Sequence, residues 1–191
     1  MSGDAGVFVR EDPAAAALDG AWLRPLVREI PDFPEPGVLF RDITPLLAHA
    51  DTFRRCVDEL IDRFASHEVD TVVGIEARGF ILAAPIAYLT GASFVPVRKA
   101  GKLPWAVARE EYVLEYRSEK LELHRDAIRP GERVLVIDDV LATGGTAAAT
   151  CRLIETLGGN IVGLGVLIEL TALGGRAALG DRLVESLVRF D

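Results

Sequence analysis

The segment VLVIDDVLATGGTAAAT, residues 134–150, decides the fold. Its apolar opening reads as a buried strand, its alanine-rich end as a helix, and a short glycine turn joins them. Strand, turn and helix in succession form the βα unit of an open, mostly parallel sheet. In such sheets ligands bind at the carboxyl ends of the strands, where this segment carries Asp138 and Asp139. The turn that follows leads into a helix N-terminus, whose free N–H groups and positive dipole end attract phosphate. Gly144 and Gly145 let the backbone approach an anion, and Thr143 and Thr146 add hydroxyl donors.

The two acids need a different partner, because a carboxylate beside a phosphate repels it. They can accept hydrogen bonds from neighbouring hydroxyls, or help hold Mg²⁺. A ribose 5-phosphate meets both halves of the segment: phosphate in the turn, 2′- and 3′-hydroxyls on the acids. The plain alternative is an ordinary βα turn with surface acids. A Walker nucleotide site is a second alternative, but its G-x-x-x-x-G-K-[ST] pattern is absent. GLGVLI, residues 163–168, lacks the third glycine of a dinucleotide fingerprint and reads as strand.

The whole chain has 191 residues, 50% of them hydrophobic and 26% charged, which suits a single soluble domain with a full core. A formal net charge of −8 argues against a general nucleic-acid surface, so any anion must sit in a locally basic pocket. Cys56 and Cys151 fall on apolar helix faces without a Cys/His cluster and read as reduced core thiols, in keeping with a cytoplasmic location. The first residues carry acids where a secretory leader needs a basic start, and no apolar run is long enough to cross a bilayer.

Along the chain, residues 1–18 are expected to be flexible, with Ala14 to Ala17 able to start a helix. WLRPLVREIPDF predicts a helical turn ended by Pro31, and PEPGVLFRDITPLL a loop with a short extended piece. Residues 51–67 predict an amphipathic helix with Asp51 as N-cap. DTVVGI and SFVPVR predict strands either side of a helix over ILAAPIAYLTG. KAGKLPWAVAREE reads as a loop, and YVLEYRSEKLELH as a hairpin about Arg117 and Ser118. The remainder reads as strand, helix, strand, short helix over TALGGRAAL, and a final strand over RLVESLVRF.

The acid pair and its turn resemble the phosphoribosyl diphosphate (PRPP) motif of type I phosphoribosyltransferases. FPEPGVLFRDITPLL (33–47), GIEARGF (74–80) and VRKAGKLP…YVLEY…LELH (97–124) are similar, in order and spacing, to adenine phosphoribosyltransferases, from about residue 30 to residue 175. The resemblance implies one α/β domain: a mostly parallel twisted sheet flanked by helices, a small base-binding hood over 19–48, and a hairpin lid over 99–124. It implies that Asp138 and Asp139 bind the ribose diol and that Ala142, Thr143, Gly144, Gly145 and Thr146 bind the 5′-phosphate. The backbone of Leu39, Phe40 and Arg41 would read adenine, with the Phe40 ring stacked on the base. Hypoxanthine and guanine present the opposite hydrogen-bond polarity, so discrimination could reach ~10⁴-fold.

Glu76, Ala77 and Arg78 would form the diphosphate turn, with a non-proline cis peptide between Glu76 and Ala77. Arg98, Lys99 and Lys102 add three cations to the same anion. Glu76–Ala77 departs from an acid–serine pair common in the family, so one hydroxyl donor is missing there. In the lid, Glu115 would manage the purine proton beside Tyr116, while Arg117 stands where a glycine is usual. Arg78 and Glu115 are thus the expected catalytic residues. Mg²⁺ is expected as a cofactor held mainly by PRPP, with no dedicated protein site. The implied reaction is adenine + PRPP ⇌ AMP + diphosphate, by a cytoplasmic homodimer that binds neither nucleic acid nor membrane. The rival readings are a phosphoribosyltransferase for another purine and a non-catalytic PRPP-sensing regulator.

Overall fold

A computed structural model describes residues 20–114 and 117–191. The expectations for residues 1–18, and for Glu115 and Tyr116, lie outside the described residues. The strands are β1 Arg28–Ile30, β2 Phe40–Asp42, β3 Thr71–Ile75, β4 Ser93–Lys99, β5 Val107–Leu114, β6 Arg117–His124, β7 Arg133–Leu141, β8 Asn160–Leu170 and β9 Val184–Phe190. The helices are α1 Thr44–Leu47, α2 Ala50–Arg63, α3 Arg78–Thr90 and α4 Gly145–Thr156.

Seven strands form one sheet in the order β5-β6-β4-β3-β7-β8-β9. The ladders from β4 to β9 are parallel, and β6 and β5 add an antiparallel hairpin beside β4. From β3 the chain steps outward to β4 on one side, and from β7 through β8 to β9 on the other. The order therefore reverses between β3 and β7, which opens a crevice at their carboxyl ends.

Alternation along β3 feeds a core on each face of the sheet. Val73 and Ile75 join Ala149, Leu153 and Ile154 of α4. Val72 joins Val57 and Leu60 of α2 and Leu82 and Ile86 of α3. Every residue of β3 is buried, as expected of a parallel strand covered on both faces. Each Leu or Ile so buried contributes about 1.5–3 kcal/mol.

The local readings depart from the structure in five places. The segment read as a helical turn up to Pro31 is a 3-10 turn over Arg24–Leu26 followed by β1, whose Glu29 lies opposite Arg41 of β2. Partners ten to fourteen residues downstream leave no trace in a local window. The loop over 99–111 is shorter than expected, because β5 begins at Val107; its charged alternation belongs to an edge strand. Leu114 pairs with Arg117, so the bend falls between them rather than at Arg117 and Ser118. Helix α2 opens one residue earlier than expected, with His49 flanking it, and Asp51 sits in its first turn, where a negative charge favours the dipole. TALGGRAAL forms two 3-10 turns, Thr171–Leu173 and Gly175–Leu179. Both cysteines are free and buried, and desolvation pushes their thiols up to about 12 for Cys56 and about 11 for Cys151, so neither supplies a thiolate.

Candidate active site

A cleft of about 560 Å³ opens over the crevice between β3 and β7. A hollow of about 80 Å³ adjoins it at the turn into α4. Asp138, Ala142 and Thr146 line both, and Thr143, Gly144 and Gly145 complete the smaller one.

The acids do not end β7, as the sequence suggested; the strand continues to Leu141. They lie where one neighbour has been lost. The β3 ladder stops at Gly74 opposite Ile137, whereas β8 stays paired through Leu141. The chain is therefore held straight on one side while the carboxylates meet the crevice on the other. Gly79 allows this approach: a Cβ there would lie 2.8 Å from the Ile137 carbonyl oxygen and 3.1 Å from Asp138 Oδ1.

Asp138 is partly exposed to the cleft but surrounded by protein atoms. Desolvation, reinforced by the charge of Asp139, raises its carboxyl well above the usual carboxylate range. The N–H of Asp139 donates to Asp138 Oδ1 at 2.9 Å and opposes that shift. Asp139 Oδ2 lies 2.7 Å from Arg78 Nε, a close ion pair without an aligned hydrogen bond.

The turn beyond is shaped by Gly144, which takes φ +82° and precedes α4 in the left-handed region. A Cβ there would fall 2.3 Å from the Gly175 carbonyl oxygen, so only glycine fits. No side chain caps α4 and none of its first-turn residues is acidic, which leaves its N-terminal amides for a ligand. In the described structure Thr146 Oγ1 donates to the Tyr112 hydroxyl at 3.2 Å.

Across the cleft, the peptide between Glu76 and Ala77 is cis, as the resemblance implied, and α3 begins at Arg78. Arg78 Cζ lies 5.3 Å from the centroid of the Phe40 ring while Nε faces Asp139, so Arg78 stands between the acid pair and the aromatic wall. The cations beyond are already partnered. Arg98 Nε donates to Glu76 Oε2 at 2.9 Å, and Lys99 Nζ lies 3.2 Å from Glu119 Oε2. Lys99, Glu76 and Arg78 line the cleft, whereas Arg98 and Lys102 do not. The loop carrying Lys102 is tied down by the Gly101 N–H, which donates to buried Glu122 at 2.9 Å.

The proposed base segment forms the opposite wall. Leu39, Phe40 and Arg41 all line the cleft, and Phe33 packs edge-on against Phe40 with centroids 5.1 Å apart. Asp42 fixes the end of the segment, accepting from the Thr44 N–H at 2.9 Å and Thr44 Oγ1 at 2.8 Å. That backbone hydrogen bond leads the effects that hold the Asp42 carboxyl below its usual value.

Tyr112, Glu119, Leu170 and Leu173 are cleft residues that sequence reasoning missed. Tyr112, buried in β5, donates to Glu119 Oε2 at 3.0 Å. These residues are direct partners in the β5–β6 register, so the signal was in the hairpin, hidden by placing its bend at Arg117 and Ser118, which lie inside β6. Leu170 and Leu173, from the far end of β8 and the turn after it, also line the cleft, and no motif announced them.

Residues 42–179 match the family described as the phosphoribosyl transferase domain. The adenine phosphoribosyltransferase of Acaryochloris marina is 54% identical over 168 residues, covering 88% of this chain and 99% of that protein. The crystal structure of adenine phosphoribosyltransferase from Rhodothermus marinus superposes with a TM-score of 0.87 at 50% identity, covering 92% of this chain and 99% of the other. The Saccharomyces cerevisiae enzyme, complexed with an imino-altritol bisphosphate and adenine, superposes at 0.83 with 36% identity, over 88% and 98% of the two chains. With the acid pair, the glycine turn and the cis peptide meeting at one crevice, these matches show that the chain belongs to the phosphoribosyl transferase family, among its adenine phosphoribosyltransferases.

Proposed function

We propose that the residues of this cleft divide between them the reaction adenine + PRPP ⇌ AMP + diphosphate. The observation that carries the assignment is the union, on one βα unit, of a carboxylate pair and an uncharged glycine–threonine turn, facing an aromatic wall across the cleft. The turn takes the 5′-phosphate on the α4 amides and the Thr143 and Thr146 hydroxyls. Asp138 and Asp139 accept from the ribose hydroxyls. Phe40 stacks on adenine while the backbone of residues 39–41 reads its edge, in support of which the yeast relative was crystallised with adenine.

Adenine N9 forms its bond to C1′ as the bond to diphosphate breaks, and the electron pair departs with diphosphate. Positive charge grows on the ribose and negative charge on the leaving group. Arg78 and Lys99 in the cleft, with Arg98 and Lys102 outside its lining, favour the departing anion, and positioning supplies much of the acceleration. Glu115 in the hairpin manages the proton of the purine ring, and closure of the hairpin over 99–124 excludes water.

The donor set fits a Mg²⁺ brought in by PRPP: two adjacent carboxylates are hard oxygen ligands, and Asp139 Oδ2 accepts no hydrogen bond. Among the described residues no group of three His, Cys, Asp or Glu side chains could hold a metal alone. Bound with substrate, Mg²⁺ would neutralise charge on the leaving diphosphate.

A homodimer is supported by the apolar outer face of α3 and β4, where Ile81, Tyr88, Leu89 and Phe94 are exposed. No helix among the described residues is long and apolar enough to cross a membrane, and a cytoplasmic setting suits two thiols left reduced.

The test is to incubate the pure protein with PRPP, Mg²⁺ and adenine, hypoxanthine, guanine or xanthine, and to identify the nucleotide. AMP should dominate; a different monophosphate as main product overturns the base assignment. Glu115→Gln should lower kcat about 100-fold with PRPP affinity retained.

A further inference from the structure

We propose that Phe190, in the edge strand on the far side of the sheet, is a positioning residue for adenine. It would hold the Arg41 guanidinium, and through it the backbone of residues 39–41, against the main sheet. The proposal rests on the assignment of that backbone to the base.

Strands β1 and β2 have three residues each and form a two-stranded sheet of their own. Such a ribbon is marginally stable by itself, so reading one edge of a base requires an external anchor. Alternation along β2 gives the anchor its direction. Phe40 lines the cleft, and the Arg41 guanidinium lies over the Phe190 ring, 4.2 Å from its centroid. The Arg41 side chain is only 11% exposed and pairs with Glu29, its direct partner across the β1–β2 ladder. Arg24 lies over the same ring at 4.5 Å and donates to the Arg189 carbonyl oxygen.

The ring itself is fixed from below. Phe190 is 4% exposed and is the register partner of Leu170 in β8, which lines the cleft. Its carbonyl oxygen accepts from Thr171 Oγ1 at 3.2 Å. The anchor thus links the base segment to the carboxyl ends of β8 and β9. The phosphate turn instead joins β7 to α4, and Gly144 packs on Gly175 in the segment before β9. A guanidinium withdrawn from water is held by an aromatic face in a way that an aliphatic side chain cannot reproduce. Apolar packing alone would make leucine nearly as good as phenylalanine.

The experiment compares steady-state kinetics of Phe190→Leu and Phe190→Trp. The leucine variant should raise KM for adenine about fivefold to tenfold, with KM for PRPP and kcat within about twofold, and tryptophan should restore the adenine KM. An unchanged adenine KM in Phe190→Leu overturns the proposal. So does a parallel rise in both KM values that tryptophan fails to rescue. Should Phe190→Leu not fold, Glu29→Gln loosens the same guanidinium from the exposed rim and should raise adenine KM about twofold to threefold; no change there also overturns it. Phe40→Ala, measured alongside, separates the two levels. If it leaves adenine KM unchanged, the base-site assignment falls and takes the anchor with it. If it raises adenine KM while Phe190→Leu does not, the anchor alone falls.

Discussion

At one end of the cleft the hollow is lined by Gly144, Gly145 and Thr146, with no charged side chain anywhere in residues 140–147. At the other end stand Arg78 and Lys99, with Arg98 next to Lys99 in the chain, each already beside a carboxylate of Asp139, Glu119 or Glu76 respectively. The first end is made of backbone donors fixed by a glycine turn and a helix, so nothing has to be displaced before phosphate enters. The second is made of side chains that neutralise one another while the cleft is empty. On the proposed assignment an incoming diphosphate would take cations from carboxylates, and the carboxylates would recover them when it leaves. A group that stays attached throughout the reaction suits the rigid end, and a group that must depart suits the end that exchanges partners.

The largest effect should come from disturbing the rigid end. Gly144→Ala puts a Cβ where the Gly175 carbonyl oxygen stands and forces a left-handed backbone. We expect kcat/KM for PRPP to fall about tenfold to 100-fold, and stability to fall by at least ~1–2 kcal/mol. Calorimetric titration with PRPP and a thermal melt check the two parts. A variant that binds PRPP normally breaks the comparison at its root.

Next are the acids between the two ends. Asp139→Asn removes the partner of Arg78 and a ribose acceptor, so kcat/KM for PRPP should fall about tenfold to 100-fold, as for hydrogen bonds to charged groups. Asp138 adds a pH signature. Its carboxyl titrates higher in the folded protein than in the unfolded chain, where the usual value is about 3.9. Above that value the unfolded chain loses this proton first, so the contribution of Asp138 to stability falls as pH rises, until the folded group has also ionised. Asp138→Asn should therefore melt at or above the parent temperature at pH 8, by an advantage that shrinks toward pH 4, while losing PRPP affinity. Melts of the ligand-free proteins across that range would decide it; an advantage that grows toward acid pH contradicts the assignment.

The smallest effect sharpens the contrast. Glu76→Gln frees Arg98 from its carboxylate and should tighten product inhibition by diphosphate about twofold to fivefold, less so in high salt. Weaker inhibition would mean that Glu76 organises the anion site instead of competing with it.

The parts of this protein that the sequence made legible are those whose chemistry is local. Strand, acid pair, glycine turn and helix are contiguous in residues 134–150, and each residue type there answers to a neighbour within a few positions. The GIEARGF turn was legible for the same reason. The pairing state of the cations was not, since Arg98 meets Glu76 and Lys99 meets Glu119 only after three strands have been laid side by side. Nor was β1, read as a helical turn because its partner Phe40–Asp42 lies beyond three prolines and a glycine.

The sequence by itself determined the α/β class, the glycine turn into a helix and the carboxylates before it, because helix dipole, glycine conformation and charge are properties of short segments. Tertiary structure alone decided that β7 runs past the end of the β3 ladder to bring those acids to the cleft, that Tyr112 reaches Thr146, and that the ring of Phe190 lies beneath Arg41. These depend on strand order and register, which are set by how two cores close on opposite faces of one sheet, and no window of neighbouring residues contains that information.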